Sequence, residues 1–165
     1  MEENNKDKLA QILAKKKTQE DKAQLNMENA MNERKKFINS FNEIVKTMIE
    51  PKMEEIGAIL NENNRGYSIS INDKEVAEKG FYTKPFINMN ISSHNDCRTA
   101  YPSTDSPHIM FIGDVHNKSI MIHECTISPA KGGQAGMKSK KYIIESLTPE
   151  IVEKEIINSI ERIFE

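Results

Sequence analysis

The pattern of the chain changes near Asn64, and that change constrains the fold more than any other feature. Before it, the residues read as helix, and no glycine occurs until Gly57. After it come short alternating runs of β-type residues, punctuated by Gly, Pro and Asn, and then a single closing helical pattern. A helical arm joined to an α+β body is the architecture this implies. The boundary is expected near residue 35, with residues 1–35 as arm and 36–165 as body.

The arm is legible from spacing. Ala23, Met27, Ala30, Arg34, Phe37, Phe41, Ile44 and Met48 follow alternating steps of four and three. Such steps place side chains on one helical face. The first half of this stripe is thin (Ala, Met, Arg), and the second is thick in Phe and Ile. Residues 36–49 are therefore expected to pack on the body, and residues 23–35 to form a weaker seam. Further upstream, Leu9, Ile12 and Leu13 are isolated by the Lys15–Lys17 run. A lone helix with so small an apolar face is marginal in water, so this segment should fray or pair with another chain. Pro51 lacks a backbone donor and disfavours helix at the residue before it, which predicts a break near Glu50. A second helix would then carry Met53, Ile56 and Leu60.

In the body, Tyr67, Ile69 and Ile71 alternate with polar residues, as do Ile87, Met89 and Ile91. Both runs predict half-buried strands. Residues 108–113 (HIMFIG) predict a central strand, 118–127 a fourth with a hairpin turn at Asp114–Asn117, and 140–146 a fifth. No helical pattern separates them, so the sheet is expected to be mainly antiparallel. Thr148 is a fitting N-cap, Pro149 a fitting first helical residue, and Leu147 with Val152 a hydrophobic staple. Val152, Ile156, Ile160, Ile163 and Phe164 then form the stripe that should lie on the sheet. The expected core is Phe41, Ile44, Ile69, Phe111, Ile122, Ile156 and Ile160.

Charge excludes the simplest nucleic-acid reading. The net charge is −2. Residues 1–65 hold 12 basic and 12 acidic groups, leaving 11 basic and 13 acidic groups in the remainder. Neither part would be drawn to a phosphate backbone by charge alone. The polar N-terminus (MEENNKDKLAQ) has no apolar signal-peptide core, and no run approaches a membrane span. Two cysteines, Cys97 and Cys125, suit a reducing compartment better than a disulfide framework. A cytoplasmic location is expected.

Three segments could carry chemistry. Residues 92–107 form a long aperiodic loop that gathers His94, Asp96, Cys97, Arg98 and Tyr101. Loops of that length are often functional, yet no second half of a catalytic set is identifiable, and a soluble surface loop is the simpler reading. His108, His116 and His123, with Asp114 and Cys125, could share a sheet face, but their spacing matches no standard zinc pattern. Residues 129–141 combine Gly132, Gly133 and Gly136 with Lys131, Lys138, Lys140 and Lys141. Free backbone amides with lysines are what an anion needs, although no Walker ending and no following helix are present. The candidate ligand-binding residues are thus Lys131, Gly132, Gly133, Gly136, Lys138 and Lys140.

No catalytic residue, metal or cofactor is expected. The leading expectation is a non-enzymatic binding or adaptor protein that forms a homo-oligomer, and could also take a protein partner, through a coiled-coil-like arm. The alternative is a small-ligand or phosphoester-handling protein, enzyme or not, that uses the 129–141 loop with the 92–107 loop as lid. Met27, Met31, Met48 and Met53 could form an adaptable partner surface, with ordinary core or coiled-coil packing as the simpler role.

Overall fold

The fold is α+β. The computed structural model describes residues 3–78, 81–92, 107–126 and 136–165. Helix α1 spans Glu3–Ile44, a π-helical turn spans Val45–Ile49, and α2 spans Glu50–Glu62. Strands β1 (Gly66–Asn72), β4 (Phe86–Ser92), β5 (His108–Asp114), β6 (Ser119–Thr126) and β7 (Gly136–Ile143) build one sheet. A small hairpin, β2 (Val76–Glu78) with β3 (Phe81–Thr83), interrupts the connection from β1 to β4. Helix α3 (Pro149–Phe164) closes the chain. By residue contacts the chain divides into Met1–Lys36 and Phe37–Glu165. Among the described residues, no helix is long and apolar enough to cross a membrane.

The sheet order is β1-β4-β5-β6-β7, and every pairing is antiparallel. It is a meander: strands that neighbour one another in this sheet follow one another along the chain, with only the β2–β3 hairpin set between β1 and β4. Register assigns the two faces. Tyr67, Ile69, Ile87, Met89, Ile91, Ile109, Phe111, Ile120 and Ile122 share one face. That face forms a single core with Phe37, Phe41, Val45, Ile49, Met53, Val152 and Ile156. Phe41, Phe111, Ile122 and Ile156 are buried as the sequence implies, and Ile44, Ile69 and Ile160 pack partly buried against them. The helices approach closely where glycine permits it. A Cβ on Gly113 would lie 3.1 Å from the Phe41 ring, and one on Gly57 would lie 2.3 Å from the Tyr67 ring.

Three expectations need correction. Pro51 does not break the helix. Ile44, Ile49 and Glu50 all keep right-handed helical dihedrals, and the Glu50 N–H donates to the Val45 carbonyl, five residues back. This π-type turn admits proline at the start of α2 without interrupting the rod. It also moves the buried stripe from Ile44 and Met48 to Val45 and Ile49. The buried positions Phe37, Phe41, Val45, Ile49 and Met53 run in steps of four. An ordinary helix would rotate such a row off the core, and the extra residue in the π turn corrects the drift.

The fifth strand, second, is Gly136–Ile143, and residues 144–146 form a 3-10 turn. An edge strand that begins Gly-Met-Lys-Ser carries too little apolar alternation in that first half to announce itself. Third, Phe164 leaves the apolar stripe of α3 and is exposed beneath the Arg65 guanidinium, 5.0 Å from the ring centre. The start of α3 is as expected: Thr148 Oγ1 accepts from the Ile151 N–H at 3.3 Å, and Leu147 and Val152 are both buried.

Candidate functional site

Two surfaces stand out from the residues upward, one on α1 and one on the sheet. Every side chain of residues 5–36 is exposed. Leu9, Ile12, Leu13, Leu25, Met27 and Met31 are among them, and Met27 is 74% exposed. Continuing the same fours and threes towards the N-terminus from Ala23 reaches Glu20, Lys16, Leu13 and Leu9. The stripe therefore runs Leu9, Leu13, Lys16, Glu20, Ala23, Met27, Ala30, Arg34, with a charged pair in its middle. Lys16 Nζ stands 4.0 Å from Glu20 Oε1, and both side chains are about 70% exposed (71% and 67%). A contact that long and that open adds little stability. Of the four methionines considered for a partner surface, Met27 and Met31 are exposed, Met48 is half-buried and Met53 is buried in the core.

The second surface is the face of the sheet opposite the core. Ser68, Ser70, Asn88, Asn90, His108, His123, Cys125 and Ser139 all lie on it, by register. Asn88 is wholly buried and Asn90 is 6% exposed. The Nδ2 and Oδ1 atoms of Asn88, the Oδ1 of Asn90 and the Oγ of Ser70 are buried without a hydrogen-bond partner among the described residues. Each such group costs about 1–3 kcal/mol relative to a satisfied one. His108 and His123 stack with ring centres 6.1 Å apart. Burial, then the neighbouring His108, holds the His123 imidazole below its ordinary value, against the opposing pull of Glu124. Cys125 is a buried thiol. His108, His123 and Cys125 thus do share a face, but no three His, Cys, Asp or Glu side chains converge to hold a metal ion among the described residues. His116 is an exposed turn residue.

The remaining sequence candidates divide. The 92–107 loop residues His94, Asp96, Cys97, Arg98 and Tyr101 lie outside the described residues, as do Lys131, Gly132 and Gly133. Gly136, Lys138 and Lys140 sit on β7, opposite Thr126, Glu124 and Ile122. Lys140 donates to both oxygens of the buried Glu155 carboxylate at 2.9 and 2.8 Å, and Tyr142 donates to the same group at 2.9 Å. Burial, then this hydrogen bond, raises the Tyr142 phenol. Lys141 stands 3.8 Å from Asp114, which also holds Lys84 at 3.3 Å. Burial alone would raise the Asp114 carboxyl, but hydrogen bonds from Asn117 and Lys84 outweigh it and hold the group below its usual range. Lys140 and Lys141 are thereby engaged by carboxylates of their own chain.

Sequence reasoning passed over Glu155, Glu124, Asn88 and Asn90. Glu155 carried a signal: it lies between Val152 and Ile156 on the apolar stripe of α3, where an acid needs a cation. Glu124 meets Arg162 of α3, and that contact raises the guanidinium further. Asn88 and Asn90 carried the opposite signal, because alternation with Ile87, Met89 and Ile91 reads as a solvated side. No protein-family model, no curated protein and no solved structure matches the chain.

Proposed function

We propose that this chain is a non-enzymatic binding protein that assembles through its N-terminal helix, with a second copy of itself as the partner, and so acts as an adaptor. One observation carries the reading: Leu9, Leu13 and Met27 lie exposed on one stripe of a helix that buries nothing from residue 5 to residue 36. An isolated helix of this kind is marginal in water, and contact with a second apolar stripe is the ordinary remedy. Ile12 and Met31, also exposed, widen the stripe. Assembly through the arm leaves residues 37–165 free to engage something else.

Light scattering tests the reading. The full-length chain should show about twice the 18.9 kDa mass of one copy at micromolar concentration. Deletion of residues 1–30 should return the mass to that of one chain, with the circular dichroism of a folded body. A full-length protein that runs as a single copy would end the proposal.

A further inference from the structure

The charges inside the arm stripe decide how two copies can lie together, on the reading that the arm is where they meet. Leu9, Leu13, Lys16, Glu20, Ala23, Met27, Ala30 and Arg34 occupy one heptad seam of α1. In a parallel, in-register pair each of these residues meets its own copy. Lys16 would face Lys16, Glu20 would face Glu20, and Arg34 would face Arg34. Three of eight layers would then place like charges together at the centre of the interface, where repulsion is least screened.

An antiparallel pair removes all three conflicts in one register. We infer that two copies pair their arms antiparallel about Thr18, so that Lys16 of each chain meets the partner's Glu20. Leu9 then packs on the partner's Met27, and Leu13 on the partner's Ala23. Two oppositely charged layers sit at the middle, with two apolar layers on each side. A shift of one heptad either way destroys this match. In one direction Leu13 would face Lys16 and Leu9 would face Glu20. In the other, Lys16 would face Met27 and Leu9 would face Arg34. The favoured register has its own cost, since Lys17 of the two chains would flank the seam near each other, at its solvated edge. Leu25 falls on the outer side of the helix and is not covered by this pairing.

The exposed state of Lys16 and Glu20 fits the same picture. Their contact within one helix is long and open, so both remain available to groups across an interface. The paired span also ends before Phe37, where burial begins after the exposed residues 5–36.

Disulfide trapping between full-length chains separates the possibilities. Preparations of Leu9→Cys and Met27→Cys are oxidised alone and as a mixture, with the unmodified protein as background for Cys97 and Cys125. The antiparallel register brings position 9 against the partner's position 27. It leaves the two copies of position 9 about 27 Å apart along the helix, at 1.5 Å per residue. Disulfides do not form once the Cα atoms are more than about 7 Å apart. Covalent dimer above background is therefore expected only in the mixture. A second pair, Leu13→Cys with Ala23→Cys, should behave alike, which guards against a variant that weakens the seam.

Covalent dimer from Leu9→Cys alone would establish a parallel pair and overturn the inference. Dimeric mass by light scattering with neither mixture trapped would overturn it too, while leaving arm assembly intact. A mass of one chain before oxidation would remove both.

Discussion

Met27 and Phe41 lie two heptads apart on the same helix, in the same spacing, and differ completely in burial. Met27 is 74% exposed and Phe41 not at all. Helical periodicity is identical in the two regions, so periodicity cannot be what buries a residue. The difference is the opposing surface. From Phe37 onward the helix lies against Ile87, Phe111, Ile120 and α3 in one core. From residue 5 to residue 36 it lies against nothing of its own unit. An apolar stripe is therefore a demand for a partner, and that demand is met from Phe37 onward while residues 5–36 stay exposed. The composition follows suit: Phe, Val and Ile fill the buried row from Phe37 to Ile49, whereas the exposed stripe mixes Leu, Ala and Met with Lys, Glu and Arg.

The sharpest way to break this comparison is to truncate both sides of it. Phe41→Ala should destabilise the body by about 3–5 kcal/mol, because the ring fills a close-packed site against Gly113. Met27→Ala, measured in dilute protein by the same denaturant titration, should change stability by less than about 0.5 kcal/mol. Equal losses at the two sites would mean that the arm is already buried within one chain.

The body contains a comparison of its own, between the two faces of β4. Ile87, Met89 and Ile91 are buried in the core, while Asn88 on the other face is just as buried, with its amide unpaired among the described residues. Asn88→Val should stabilise the protein by about 1 kcal/mol, since an unsatisfied amide is replaced by a group that needs no partner. A loss of similar size would show that the amide is engaged in the native protein.

A smaller effect should appear in the pH dependence. Burial keeps the folded-state pKa of His123 below the ordinary value of 6.5. The unfolded chain thus takes up this proton at higher pH than the folded one. The contribution is present above the unfolded pKa and is lost as pH falls through the folded one. Denaturation midpoints should drop from about pH 7.5 to about pH 5, around the ordinary histidine pKa, and His123→Gln should flatten part of that slope. An unchanged slope would mean that His123 is as solvated as an isolated imidazole.

How much of this was legible beforehand depended on the range of the interaction. Local signals succeeded: the Thr148 cap, Pro149, the alternation of β1 and β4, and the Asp114–Asn117 turn all lie within a few residues of what they specify. Pro51 misled because its usual consequence can be avoided by a π turn, which no single residue announces. The small β2–β3 hairpin is too short for a period to show. Lys140 read as a free cation because its partner, Glu155, reaches it only once α3 folds onto the sheet. Asn88 and Asn90 read as solvated because alternation reports which residues share a face, not whether that face meets water. The match of Lys16 with Glu20 has meaning only when a second chain is set beside the first.

Amide hydrogen exchange as a function of protein concentration tests the central claim, that the arm is completed by another copy. Exchange would be followed in full-length protein from well below to well above the micromolar range. Phe111 and Ile156, buried in the body, serve as the internal reference, and their protection should stay constant. Protection at residues 9–31 is expected to rise with concentration, because a solitary helix opens readily and a paired one does not. Arm protection that is independent of concentration, whether high or low, would contradict the account.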